Sequence, residues 1–222
     1  MNWKGWNDVM SKKQALTEFH RGSILAAAER LFAEKGTEKT TMDDIAREAE
    51  YSKATLYVYF QSKEEIVNAI LLSSMVLLQK KIQAAVEHYG SWIQAYDAVC
   101  DAIIRFYGDN PTAYDTAIWE VPVNVEPDKM DKGLRDILQV GDATNAMLAD
   151  FLRRGAAEGV VRIELPPNET VLLFWAALSG MVRMADSKNG YMGRSLGLSR
   201  DEFLRHGARM LLDAITKGRT VE

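Results

Sequence analysis

The chain has 222 residues, 47% of them hydrophobic and 26% charged, with a formal net charge of −4 and a pI of about 5.5. These values fit a globular protein of one large or two modest domains and give no overall field that would draw the molecule to nucleic acid. A lone cysteine, Cys100, excludes an internal disulfide framework, and no signal-peptide pattern or continuous apolar run of about 18 residues appears, so a cytoplasmic protein without a membrane partner is expected.

Residues 1–20 are expected as a flexible N-terminal extension. From Ser23 to Lys35 the apolar residues Ile24, Ala28, Leu31 and Phe32 recur at helical spacing, and Gly36 stands where a left-handed cap is wanted. Thr41 with Asp44 forms a capping box for a short second helix, whose inner face is Met42, Ile45, Ala46 and Ala49. A turn at Glu50-Tyr51-Ser52 leads to a third short helix, Lys53 to about Phe60. Ser62 with Glu65 launches a long fourth helix through Ile66, Ile70, Leu77 and Ile82 to about His88.

Beyond Gly90, Ser91 with Gln94 caps a fifth helix ending near Tyr107, and Asn110-Pro111 starts a sixth ending near Glu120. Pro122 and Pro127 bracket a loop. A seventh helix spans about Asp131 to Glu158, with Gly159 as its stop. Pro166-Pro167 precede an eighth, Glu169–Ser187, and Ser199 with Glu202 caps a ninth that ends near Lys217-Gly218. Val160–Leu165 is at most a short extended link. The expected fold is therefore all-α: a three-helix helix-turn-helix domain (residues 21–65) and a helical bundle (residues 66–222), about nine helices in all.

Three short helices with a tight turn between the second and third have the layout of a DNA-reading unit, in which the third offers its first residues to the major groove. In that helix Leu56 and Phe60 face a core, leaving Lys53, Ala54, Thr55, Tyr57 and Tyr59 outside. Small, hydroxyl and amino groups at a helix N-terminus suit base edges and phosphates. Residues 1–65 carry ten basic side chains against eleven acidic ones, so any affinity for DNA must come from placement and not from the sum.

The run ILAAAERLFAEKGTEKTTMDDIAREAEYSKATLYVYFQSKEEI resembles the DNA-binding domain of the TetR family over about 45 residues. The resemblance includes the AAxxLFAEKG end of the first helix, the TTMDDIA opening of the second, and SKATLYVYFQSKEE. It implies a sequence-specific transcriptional regulator, a repressor released by a small hydrophobic ligand, that binds an inverted-repeat DNA duplex as a homodimer. The alternative is an interaction adaptor or activator that keeps the fold without ligand-controlled repression. By resemblance Thr41 holds a phosphate, Lys53, Ala54 and Thr55 face bases or nearby backbone, Tyr57 and Tyr59 contact backbone or bases, and Lys63 pins a phosphate. Two positions depart from the pattern. Glu50 stands where the family usually has glycine, and Tyr59 where it often has histidine.

No catalytic constellation, phosphate loop or metal-ligand spacing is found, so no enzyme, cofactor or metal is expected. Asp97, Asp101 and Arg105 read as a solvent-facing ladder. The fifth helix is apolar on two sides, hence central. Trp92, Tyr96, Phe106, Tyr114, Ile118, Trp119, Met147 and Phe151 are candidate ligand-binding residues, suited to a flat or bulky hydrophobic compound, although a plain core has the same composition. The eighth helix is apolar nearly all round. Leu172, Trp175 and Ser179 on it, with Leu204, Ala208, Leu211 and Ile215 on the ninth, are expected at a two-fold dimer interface.

Overall fold

The computed structural model describes residues 3–109, 111–120, 126 and 130–216, and within them not the side chains of residues 3–11, 112, 115, 119 and 120. The described residues are helical almost throughout: α1 (Trp3–Lys35), α2 (Met42–Glu48), α3 (Lys53–Tyr59), α4 (Lys63–His88), α5 (Trp92–Asp109), α6 (Pro111–Asp115), α7 (Lys132–Ala157), α8 (Pro167–Ser187), α9 (Asn189–Tyr191) and α10 (Arg200–Ile215). Helices α6 and α9 run on into wider π-type turns, Thr116–Glu120 and Met192–Leu196. The extra helix relative to the expected nine is α9, formed in the glycine-rich stretch after α8. The expected Asn110 cap and most of the loop after Glu120 lie outside the described residues, as does the expected stop near Lys217-Gly218.

Two compact units divide the chain, Met1–Leu72 and Ser73–Glu222. In the N-terminal unit Ile24, Ala28, Ile45, Ala46, Leu56, Phe60 and Ile66 form the buried core. Ala69 and Ile70 pack against it, which carries the boundary beyond residue 65: the first turns of α4 complete this core. The first helix begins at Trp3, not Ser23, so the segment expected as an extension is helical and continuous with it.

Capping follows the sequence closely. Thr41 and Asp44 form a reciprocal box at α2, and Ser199 and Glu202 another at α10. Asp131 caps α7 by accepting from the Leu134 N–H at 2.7 Å. At α4 the box is shifted: Ser62 Oγ accepts from the Glu65 N–H at 3.2 Å, but the Glu65 carboxylate takes the Gln61 N–H at 2.7 Å.

Helix α5 is the centre of the C-terminal unit, burying Trp92, Tyr96, Val99, Cys100, Ile103, Phe106 and Tyr107. Trp92 and Tyr96 on it have their polar ring atoms hydrogen-bonded, as buried groups require. Trp92 Nε1 donates to the Phe151 carbonyl at 2.8 Å and Tyr96 Oη to the Ala208 carbonyl at 2.8 Å. The Trp92 and Phe151 rings stack at 4.5 Å. Leu77 of α4 is 47% exposed, whereas its neighbour Leu78 is buried. Among the described helices α4 alone is long and apolar enough to cross a membrane by composition, yet Ile66, Leu78, Ile82, Ala85 and Val86 from it all lie in protein cores. The link after α7 is extended as expected: Val161 forms an isolated antiparallel bridge with Thr216, and Arg162 N–H donates to the Ile215 carbonyl at 2.7 Å.

Candidate functional site

The turn between α2 and α3 sets the geometry of the N-terminal site. After α2, Glu50 N–H donates to the Arg47 carbonyl at 3.1 Å and Tyr51 N–H to the Ala46 carbonyl at 2.9 Å. That pair of bonds is a Schellman motif, which demands a left-handed residue between them. Glu50 supplies it with φ 60° and is the sole non-glycine residue of positive φ among those described. The departure from glycine is therefore a strained position and not a different turn.

Ser52 then caps α3: its Oγ accepts from the Thr55 N–H at 3.1 Å and lies 2.8 Å from the Thr55 hydroxyl. Leu56 and Phe60 are fully buried, so α3 is pinned by two residues four apart and shows its other face to solvent. Lys53, Ala54, Tyr57 and Val58 are exposed on that face, while Thr55 and Tyr59 are half-buried. Val58, at 74% exposure, is the most open large apolar residue of α3. It was not among the expected outward residues, because a valine between two tyrosines looks like core. Tyr59 departs from expectation: its ring lies 5.4 Å from that of His20 and packs against the core cluster, which leaves less of it outside than was expected.

Lys53 Nζ stands 2.7 Å from Asp43 Oδ1, both side chains well exposed, and this contact raises the ammonium's pKa. Thr41 is exposed at the first turn of α2, its hydroxyl engaged with Asp44 at 2.9 Å. Asp44 is held well below the usual carboxylate range, first by its hydrogen bond from Lys35 and then by those from Thr41. Lys63 Nζ donates to the Thr37 carbonyl at 2.9 Å, which ties the loop after α1 to the start of α4 and leaves two N–H donors for another acceptor.

The near-zero charge sum of this unit conceals an ordered placement. Glu48 accepts from Arg30 at 2.9 Å, and Asp44 from Lys35 at 2.7 Å and Arg47 at 2.6 Å. Two acids of the unit, Glu48 and Asp44, are thus occupied by bases of α1 and α2. An exposed α3 with a capped N-terminus, flanked by Thr41, Lys53 and Lys63, can lie along a polyanion and offer small side chains to it.

The second candidate site lies in the C-terminal unit. A cleft of about 390 Å³ is lined by Tyr96 and Val99 of α5, Leu148, Phe151 and Leu152 of α7, the link Val161–Leu165, Val171, Phe174 and Ala177 of α8, and Leu211, Ala214 and Ile215 of α10, among others. Of the seven expected ligand residues whose side chains are described, Tyr96 and Phe151 line it. Trp92, Phe106 and Tyr114 are buried in the core of the unit and do not line this cleft, with Tyr114 Oη 2.7 Å from Ser179 Oγ. Met147 borders a shallower recess beside Val86, Asp150, Phe151 and Arg154, and Ile118 packs on the core. The side chain of Trp119 lies outside the described residues. The missed wall, Val161 to Leu165, did carry a signal, since apolar Val161, Ile163 and Leu165 alternate with Arg162 and Glu164. On α5, burial pushes the Cys100 thiol up to about 12 and the Tyr96 phenol upward as well, so neither is ionised near neutral pH.

The expected interface residues also divide. Ser179, Leu204 and Ala208 are buried inside the unit, and Trp175, Leu211 and Ile215 are partly buried against its core. These six were expected at the two-fold interface, and an all-apolar helix does not show in sequence which side its own domain covers. Leu172 does face outward, at 60% exposure, joined by Leu173 and Met184 on α8 and by Met210 on α10, at 62%. On another face, Asp101 and Arg105 pair at 3.7 Å on the exposed side of α5, as the ladder reading expected.

The model of bacterial regulatory proteins of the tetR family matches residues 24–70. The chain is 26% identical over 162 residues to the HTH-type transcriptional regulator HbdR of Aromatoleum sp. (strain CIB), an alignment covering 72% of this chain and 66% of HbdR. Alignments to two regulators of Bacillus subtilis, YfiR and YhgD, span 35% and 34% of those proteins. Among solved structures, the TetR family transcriptional regulator PfmR from Thermus thermophilus superposes with a TM-score of 0.61 at 27% identity, covering 85% of this chain and 96% of that one. AibR, solved in complex with isovaleryl coenzyme A and operator DNA, superposes with a TM-score of 0.63 at 20% identity, covering 87% and 98%.

Proposed function

Because this chain belongs to the TetR family of bacterial regulatory proteins, through its N-terminal unit, we propose that it binds an inverted-repeat DNA operator as a homodimer and represses transcription until a small hydrophobic effector enters the C-terminal unit. The observation that carries the DNA reading is the outward face of α3. Lys53, Ala54 and Thr55 stand at its capped first turn, Tyr57 and Val58 follow, and Leu56 and Phe60 fix the rotation from beneath. In a dimer the two α3 helices would enter major grooves about one turn apart, roughly 34–36 Å. Thr41 and Lys63 would hold phosphates on either side.

The exposed apolar residues Leu172, Leu173 and Met184 on α8, with Met210 on α10, support the dimer, since a second copy could remove these side chains from water. The cleft lined by Tyr96, Phe151 and Phe174 supports the effector, and its apolar walls fit a compound without a buried charge. Helix α4 supplies residues to both units, so displacement of its second half on effector binding is a route to the DNA-reading unit. Such coupling is typically about 1–3 kcal/mol.

An electrophoretic shift with the duplex upstream of the chain's own coding region, together with selection from random DNA, tests the first claim. Recovery of a palindrome supports it; absence of any selected sequence defeats it. Leu172→Glu with Met210→Glu should convert a dimer to monomer in analytical ultracentrifugation, and a wild-type monomer at micromolar concentration defeats the second claim. A screen of hydrophobic compounds for release of the selected duplex tests the third.

A further inference from the structure

Two residues that lie outside the family match of residues 24–70 grip both ends of α3. His20 Nδ1 is 2.5 Å from the hydroxyl of Tyr51, in the turn ahead of α3. Its ring meets that of Tyr51 edge-on at 5.5 Å and that of Tyr59, the last residue of α3, at 5.4 Å. Arg21 donates through Nη1 to the Tyr59 carbonyl at 2.7 Å. Its guanidinium carbon stands 4.1 Å over the Phe60 ring, and Glu65 lies 4.0 Å away.

A helix of seven residues has little stability of its own, because nucleation is costly and most of its end groups lack intrahelical partners. Here the C-terminal carbonyls are met from outside: Gln61 Nε2 serves that of Tyr57 at 2.6 Å, and Arg21 serves that of Tyr59. A cation at this end also opposes the partial negative charge of the helix terminus. The buried pair Leu56 and Phe60 sets which face of α3 is inward but touches only one side of it. The α1 residues add contacts before the helix, at Tyr51, and at its C-terminal end, at Tyr59 and Phe60.

We propose that His20 and Arg21 are positioning residues for sequence reading: they hold the tilt and rotation of α3 from α1 and touch no base or phosphate themselves. This rests on the DNA-binding reading above. Phosphate attraction tolerates a small rotation of α3, since it acts through charge at a distance. Base-edge hydrogen bonds do not, since they need alignment within a few tenths of an ångström. Loss of the clamp therefore lowers specific affinity and spares non-specific affinity.

The test uses the full-length chain with its selected duplex and a scrambled duplex of equal length, titrated across salt concentrations. His20→Ala, Arg21→Ala and Tyr51→Phe are expected to weaken the selected duplex about tenfold, the equivalent of one lost hydrogen bond of this kind. The scrambled duplex is expected to change less than twofold, with the salt slope unchanged. His20→Asn, which keeps an acceptor near the Nδ1 position, should recover part of the loss. Tyr51→Phe keeps the ring packing and serves as the variant that folds regardless. Equal weakening of both duplexes, or a salt slope reduced by about one in Arg21→Ala, would overturn the proposal in favour of a general folding role or a direct phosphate contact. A wild-type chain that selects no duplex sinks the DNA reading and the proposal with it, whereas variants that match wild type on both duplexes sink the clamp alone.

Discussion

Replacing Glu50 by glycine should make the N-terminal unit more stable. A left-handed conformation costs a residue with a Cβ about 1–2 kcal/mol, and Glu50 is held there, at φ 60°, by the two bonds of the Schellman turn. Glycine removes that strain but adds freedom to the unfolded chain, which offsets about 0.4–1 kcal/mol. The net expectation is a gain of about 0.5–1 kcal/mol. Because the chain has two units, a single global melting curve would blur the effect. Amide exchange of α2 and α3 in the full chain reads it locally. Protection at Ile45, Ala46 and Leu56 should rise about two- to fivefold, the ratio that matches this free energy. Glu50→Ala is the control: it removes the same carboxylate and keeps the Cβ, so protection should stay within about 1.5-fold of wild type on the strain argument. If alanine stabilises as much as glycine, the charge and not the backbone was responsible, and the reasoning fails. A loss of protection in Glu50→Gly would refute it outright.

Asp43→Asn should tighten binding to any duplex a few-fold and steepen the salt dependence, because it frees Lys53 from a partner 2.7 Å away and removes a charge beside the proposed DNA face; fluorescence anisotropy on scrambled DNA reads this. Lys63→Ala should weaken binding on all sequences and lower the salt slope by about one, whereas Thr55→Ala should alter site preference in a selection from random DNA. Gly155→Ala should destabilise the C-terminal unit by about 1–3 kcal/mol in thermal unfolding, since the new Cβ would stand 2.5 Å from Trp92 Nε1, whose ring is anchored by its bond to Phe151. Asp44 has a lowered pKa when folded, so its contribution is present above the ordinary carboxylate pKa, about 3.9, and fades as pH falls through the lower folded value. Urea midpoints of the N-terminal unit should therefore decline below about pH 4, and less steeply in Lys35→Gln.

Elements whose cause is local were legible in the chain before any packing was known. Capping boxes at Thr41 and Ser199 and the left-handed stop at Gly36, whose N–H returns to the Phe32 carbonyl at 3.0 Å, depend on residues within a turn of one another and were readable as spacing. The reading face of α3 was readable too, because Leu56 and Phe60 four apart leave one orientation for the rest. The identity of Glu50 as a strained residue followed from its place in a recognised pattern. What long-range packing controls had to wait for the folded molecule. An aromatic residue in α5 carries no mark of whether it fills a core or lines a cleft, and Trp92, Phe106 and Tyr114 were taken up by the core, two of them through buried hydrogen bonds to residues 59 and 65 positions away. The same ambiguity hid the faces of α8, where Ser179 turned inward to Tyr114 while Leu172 and Leu173 stayed outside. The grip of His20 and Arg21 on α3 joins residues 31 and 38 apart, and no periodicity within either helix encodes it. Local rules act through neighbours in the chain; cores, clefts and clamps are made by side chains that meet only after the helices have packed.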